Sequence, residues 1–365
     1  MSESTAFKHH ITEAGVRRLA DHLAPHVAFD TEDFVRRAGA GLPPLELKAR
    51  VHHVADTLAS CLPPFVESAP RIERANASAR DSDASLWVFW PLCSYIERHG
   101  TGHVDEALRV MRGLTHLASC EFAIRPFLAA EPTRVFPVLQ EWAGDASWHV
   151  RRLASEGTRP LLPWGMRLKA LQSDPSPSLP LLDRLFDDPS EDVRRSVANH
   201  INDISKDHPD LAVQVAAAWH EQGGEHTRAV IRHALRTLVK RGHVGALALQ
   251  GFEPAELRTA TLSAAPTTVQ FGDPVTLRFE AVAQRAGAWM VDYAVHRMLA
   301  NGKLKPKVFK WTRRTVEKGE RVVLEKRHAI RPISTRRYYD GQHRCDVRVN
   351  GEVVAEAAFE LVGVE

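Results

Sequence analysis

The chain has 365 residues, 44% hydrophobic and 25% charged, a balance that suits two or three globular domains and excludes a disordered, collagen-like or membrane-embedded chain. No stretch reaches the run of about 18 apolar residues that a membrane helix needs, and the opening MSESTAFKHH lacks the apolar segment of an export signal; a cytoplasmic protein without membrane association is expected. The formal net charge of +3 is unevenly spread, because from Arg258 onward 19 Lys and Arg face 12 Asp and Glu, leaving 29 against 33 before it. An excess of +7 in the last third suits a surface addressed to a polyanion, although a uniformly solvated basic face has the same composition.

In chain order, the first 250 residues read as helices. LELKARVHHVADTLASCL places Leu45, Leu47, Val51, Val54 and Leu58 near helical spacing, and HVDEALRVMRGLTHLA does so with Val104, Leu108, Met111 and Leu114. The cysteines, Cys61, Cys93, Cys120 and Cys345, are far apart and form no C-x-x-C, and no H-E-x-x-H occurs, so no disulfide framework, metal or cofactor is expected. Short breaks, GDAS, DDPS and KDHPD, then separate helices, with Ser or Asp placed to cap the next one.

Two of these breaks open the same motif. D-x-S-x-x-V-R-R occurs at Asp145–Arg152 and again 43 residues later at Asp188–Arg195. A period of this size is that of HEAT-like helix pairs, drawn at 131–157, 177–206 and 209–241, so residues 1–252 are expected to be a helical-repeat solenoid.

At about 100° per residue, Val193, Val197, Ile201 and Ile204 form the core side of the helix after the second motif. Arg195, Asn199, Asn202 and Lys206 form the opposite stripe, with Asp203 on its edge, and the equivalent places one period earlier are Arg152, Glu156 and Arg159. The repeated V-R-R is then scaffold, and the residues that differ after it face out. In a concave groove Glu156 and Asp203 would meet among Arg152, Arg159, Arg195 and Lys206, with Trp164 of RPLLPWG at the rim. Carboxylates amid cations suit chemistry on a nucleic acid, the cations gripping phosphate and the acids facing developing positive charge. The same residues also fit structural ion-pair ladders between repeats, and spacing alone leaves both readings open.

From about 258 the texture becomes short β-branched runs: TVQFGDPVTLRFEAVA, WMVDYAVHRML, ERVVLEKRHAI, HRCDVRVNG and EVVAEAAFELV, with turns such as NGEV and KGER. Six or seven strands over 258–365 predict an immunoglobulin-like sandwich, with the boundary near 249–257. Within it, KLKPKVFKWTRR sets Lys303, Lys305, Lys307, Lys310, Arg313 and Arg314 around Phe309 and Trp311, a composition that suits a strand or loop on a nucleic-acid backbone.

LELKARVHHVADTL, RRLASEGTRPLLPWG and DDPSEDVRRSVANHINDISKDHPDL resemble the AlkC branch of the bacterial DNA alkylation-repair glycosylases, the HEAT-like-repeat family that also includes AlkD, over roughly residues 10–245. The resemblance implies a monomeric, cofactor-independent, monofunctional glycosylase acting on alkylated double-stranded DNA, removing cationic N3-methylated bases, 3-methyladenine and 3-methylcytosine, without flipping them into a deep pocket. It implies Asp203, Glu156 and Glu121 as acids near the sugar, and Arg152, Arg159 and Arg195 as backbone clamps. Trp164 would contact the lesion, and Asn199, Asn202, Lys206 and the basic run Lys305, Lys307, Lys310 and Arg313 would contact DNA. AlkD-type members set aromatic residues beside a catalytic Asp, whereas this stripe is richer in acids, so which acid orients water and which faces the sugar stays open. A non-catalytic scaffold or damaged-DNA-binding protein is the competing expectation.

Overall fold

The computed structural model describes residues 6–80, 83–332 and 337–364. Its helices are α1 (Glu13–Leu23), α2 (Thr31–Ala40), α3 (Leu47–Cys61), α4 (Phe65–Ser78), α5 (Leu86–His99), α6 (Val104–Leu114), α7 (Arg125–Ala130) and α8 (Pro132–Trp142). They continue as α9 (Trp148–Glu156), α10 (Lys169–Ser173), α11 (Leu179–Leu185), α12 (Glu191–Ile204), α13 (Pro209–Gln222), α14 (Thr227–Ala234), α15 (Arg236–Arg241) and α16 (Val244–Ala248). No helix among the described residues is long and apolar enough to cross a membrane.

Two compact units result, one running to Asp207 and taking in Gly223–Ala234, the other formed by His208–Gln222 with the chain from Leu235 onward. In the first unit, α5 is apolar on every side and is buried from Val88 to Ile96, which makes it a central rod against α1, α3 and α6. The repeats follow: α9 packs on α8 and α11, and α12 packs on α9, α11 and α14. Val193, Val197, Ile201 and Ile204 are buried as helical spacing predicts.

The repeated motif has a local reason. Asp145 Oδ1 accepts from Ser147 N at 2.8 Å and Asp188 Oδ1 from Ser190 N at 2.8 Å, so each Asp closes the turn that starts the helix. The first arginine of each V-R-R reaches back to that turn: Arg151 donates to the Asp145 and Ala146 carbonyls, and Arg194 to those of Asp188 and Pro189. Arg151 also forks onto the Asp188 carboxylate at 2.6 and 2.9 Å, riveting one repeat to the next. The third helix pair expected at 209–241 is divided, because α13 and α15 belong to the second unit and α14 to the first.

The second unit carries eight strands: β1 (Leu257–Ala265), β2 (Thr268–Gln270), β3 (Pro274–Ala283), β4 (Gly287–Met298), β5 (Leu304–Val316), β6 (Arg321–Ala329), β7 (Gly341–Val349) and β8 (Glu352–Val362). Sheet order is β1-β3-β6 in one layer and β2-β8-β7-β4-β5 in the other. Leu277 and Phe279 from the first layer meet Trp289, Val291, Tyr293, Val347 and Phe359 from the second in one core. The change from helix to strand falls at Leu257, yet α13, α15 and α16 pack as part of this unit. Texture reveals where secondary structure changes, not where packing does.

Candidate active site

Glu121 lies in the turn ahead of α7, Glu156 is the last residue of α9, and Arg159 follows in the irregular segment that leads to Trp164. Together with Arg152 these four line one open cavity of about 630 Å³, which also has Trp87, Trp90, Phe122 and Trp148 in its walls.

The polar residues form a chain in series. Arg152 Nη1 donates to Glu121 Oε2 at 2.9 Å, and its Nη2 lies 3.9 Å from Glu156 Oε1. Arg159 Nη1 donates to the same Glu156 oxygen at 2.6 Å, while Arg159 Nε donates to Asp203 Oδ2 at 2.9 Å. Lys206 Nζ closes the series on Asp203 Oδ1 at 2.9 Å. Acid and base alternate, so each carboxylate is held in place by a charged neighbour. Burial works against the charge of Arg159, but Glu156 and Asp203 hold its guanidinium above its ordinary value.

Behind the series lie groups that spacing alone does not reveal. Arg125 is fully buried; its Nε donates to the Met166 carbonyl at 2.6 Å and its Nη1 to that of Gly157 at 2.8 Å. Burial first, then the like charge of Arg159, pull this guanidinium down to about 10. His200, also fully buried, has Nδ1 3.1 Å from the Ser155 carbonyl, and burial pulls it down to about 4, so it is neutral at pH 7. Arg125 Nη2, His200 Nε2 and Asn202 Oδ1 are buried polar atoms with no hydrogen-bond partner among the described residues, a state that native interiors normally avoid.

Several sequence-based expectations change here. Asp203, Asn202 and Glu156 are 2%, 4% and 5% exposed, so the stripe does not simply face out: neighbouring chain covers it, and Asp203 stands behind Arg159. Asn199 Oδ1 pairs with His233 Nε2 of α14 at 2.9 Å. Arg195 does not join the series: it pairs with Glu191 and with Asp192 on its own helix, and of these Asp192 lines the cavity. Trp164 does reach the rim: it lines the cavity, is 60% exposed, and has a left-handed backbone with φ of 65°. Such a conformation costs a bulky residue about 1–3 kcal/mol and survives only where its surroundings impose it.

In the second unit, the basic run forms β5, the edge of its sheet. A bulge at Trp311, opposite the step from Val291 to Asp292 on the neighbouring strand, splits the run between two faces. Lys305 and Lys307 lie opposite Arg297 and Val295, whereas Lys310 and Arg313 lie opposite Asp292 and Met290. Lys307 Nζ sits 5.4 Å over the Phe309 ring, and the Arg313 guanidinium 5.3 Å over that of Phe252. Among the described residues no group of three or more His, Cys, Asp or Glu is placed to hold a metal ion.

Comparison with known proteins gives three findings. Residues 258–363 match the family model "Uncharacterised protein YhaZ, C-terminal Ig-like domain". The YhaZ protein of Bacillus subtilis (strain 168) is 37% identical over 320 residues, covering 87% of this chain and 88% of its own. The Pseudomonas fluorescens alkylpurine DNA glycosylase AlkC, solved on DNA containing an abasic-site analogue, superposes with a TM-score of 0.82 at 32% identity, covering 98% of this chain and all of that one.

Proposed function

The chain belongs to the family of AlkC and YhaZ, and from that premise we propose that it is a DNA glycosylase that hydrolyses the N-glycosidic bond of cationic N3-methylated bases, 3-methyladenine and 3-methylcytosine, in duplex DNA. The observation that carries the reading is the series Glu121, Arg152, Glu156, Arg159, Asp203 on and behind the wall of one cavity.

Methylation at N3 makes the base a cationic leaving group, so it needs no proton from the enzyme. As the C1′–N bond breaks, its electron pair neutralises the base and positive charge moves onto the sugar. Fixed carboxylates stabilise that charge, and one of them orients a water whose oxygen bonds C1′ and whose proton the carboxylate accepts. Glu121 and Glu156 line the cavity and are the acids nearest the sugar. Asp203 acts from behind, fixing Arg159 between itself and Glu156. Arg152 and Arg159 hold the acids and present cations to the flanking phosphates, and the Trp164 ring contacts the lesion. Lys305 and Lys307 of the sandwich grip backbone. The enzyme works as a monomer, with no cofactor, in the cytosol.

The cavity walls present acids, cations and aromatic rings, a lining that suits a lesion carrying its own positive charge. That charge is the selected feature in this reading, and a base selected by charge need not be flipped into a shaped pocket. The test is a single-turnover comparison of duplexes bearing 3-methyladenine, 3-methylcytosine, 7-methylguanine and hypoxanthine, with release of free base as the readout. Release of the two N3-methylated bases, slow or no release of 7-methylguanine and none of hypoxanthine is expected. Binding without release returns the chain to a scaffold role, and efficient hypoxanthine release overturns charge-based selection.

A further inference from the structure

The segment from Gly157 to Met166 holds an exposed indole in a backbone conformation that a bulky residue avoids. Its two ends are clamped by one buried side chain, Arg125, which donates to the carbonyls of Gly157 and Met166. Pro160 and Pro163 stiffen the span between them. A Cβ on Gly165 would stand 3.2–3.3 Å from Leu162, Arg125 and Phe122, so the peptide after Trp164 is packed close to its neighbours. At the centre of the segment, Lys48 Nζ, from α3, donates to the Trp164 carbonyl at 2.7 Å. The ring itself is not sunk in apolar packing; it meets Phe7 edge-on at 6.2 Å, and Phe7 in turn stacks on Trp87 at 5.8 Å.

We propose that Lys48 is a positioning residue: by holding the Trp164 carbonyl it fixes the left-handed backbone and aims the indole across the cavity mouth, setting the rate of base excision without itself touching DNA. This rests on the glycosylase reading. The physical case is that a strained, exposed residue adopts one orientation only when its backbone is over-determined. Arg125 fixes the ends of the segment; of the Trp164–Gly165 peptide between them, the N–H donates to the Leu162 carbonyl at 3.2 Å and Lys48 holds the carbonyl. Without it the indole samples other directions, and each turnover begins with a search for the productive one.

A bare exposed lysine near a nucleic-acid site has a simpler use, as a phosphate contact, and the two roles separate cleanly. Lys48→Met, Lys48→Arg, Trp164→Ala and the double variant Lys48→Met with Trp164→Ala are compared on a 3-methyladenine duplex, with enzyme saturating and in single turnover. Affinity and its salt dependence are measured on an abasic-site duplex. Loss of the bond is expected to lower the rate constant about 3- to 10-fold, with affinity and salt slope unchanged, and arginine, which keeps a donor, restores it. On the Trp164→Ala background the lysine substitution has no further effect, because the group it acts through is gone. A rate unchanged at saturation with weaker, less salt-dependent binding makes Lys48 a phosphate contact and overturns the proposal, as does a rate loss that persists without the indole. Absence of release by the wild-type protein is a different failure: it overturns the glycosylase reading itself and this role with it.

Discussion

Glu156 accepts from Arg159 at 2.6 Å and lies 3.9 Å from Arg152, so its charge stands at the cavity wall before any DNA arrives. Preorganised charge of this kind acts on the transition state without a cost of reorganisation. Glu156→Gln keeps the shape and removes the charge; it is expected to lower the single-turnover excision rate by roughly 10². Asp203→Asn should slow excision too, but because Asp203 is 2% exposed and holds Arg159 and Lys206, it should also lower stability. The double variant should lose less than the product of the two, since Asp203 acts on Glu156 through the Arg159 that both hold; a multiplicative loss would place them in separate sites. His200 gives a pH signature independent of activity. Burial pulls its folded value down to about 4, below the roughly 6.5 of an unfolded histidine. Between those values the unfolded chain binds the extra proton, so stability contributed by neutral His200 is complete above about pH 6.5 and falls by about 1.4 kcal/mol per unit as pH drops toward 4. Urea titrations at pH 7 and 5 should show a smaller loss for His200→Gln than for wild type, and equal losses would remove His200 from the acid sensitivity.

At the scale of elements, the two V-R-R copies combine two jobs that sequence spacing could not separate. Arg151 closes its own turn and forks onto Asp188 of the next repeat, which is the structural ladder; Arg152, one residue on, faces the cavity and binds Glu121. The ladder between repeats is thus carried by Arg151, while Arg152 is left to the cavity wall, where the proposed chemistry would need it. Arg151→Ala strands a largely buried carboxylate and is expected to destabilise the fold by about 3 kcal/mol in urea unfolding, whereas Arg152→Ala should spare stability and slow excision. The reverse pattern would exchange their roles. The core face of α12 was legible because four apolar residues at helical spacing admit one buried side. The burial of Asp203 and Asn202 was not, because a helical wheel gives a direction and says nothing of which neighbouring segment lies there. The same limit hides Arg125, whose carbonyl partners are 32 and 41 residues away, and the pairing of Arg195 with acids of its own helix. β1, reading LRTATLSAA, escapes notice because small and polar residues blur its alternation, although it sits beside β3 in the sheet.

Over the whole molecule the question is what the +7 excess from Arg258 onward is for. β5 ends its sheet, and lysines on an edge strand have a use that involves no ligand, since they discourage pairing with another chain. The register divides the run in a way that lets the two uses be told apart. Lys310 and Arg313 face Asp292, whose carboxyl burial pushes up and these cations draw back down, and Arg313 covers the Phe252 ring. Their attraction is spent within the unit. Lys305 and Lys307 are exposed on the other face, Lys305 opposite another cation, Arg297, and Lys307 over the Phe309 ring, so an external anion would relieve the repulsion that Lys305 meets there. Replacing Lys305 and Lys307 by Gln should therefore weaken binding to any duplex and reduce the slope of log affinity against log salt by about 2, close to 0.9 for each phosphate that is no longer neutralised, with no change in melting temperature. Replacing Lys310 and Arg313 by Gln should instead leave the salt slope almost as it was and lower stability by about 1 kcal/mol, because the cation is removed from the face of the Phe252 ring. If the Lys305 and Lys307 variant binds DNA with the wild-type slope but aggregates at concentrations where wild type stays monomeric, the edge lysines serve to block strand pairing, and the positive excess of the sandwich has no part in holding DNA.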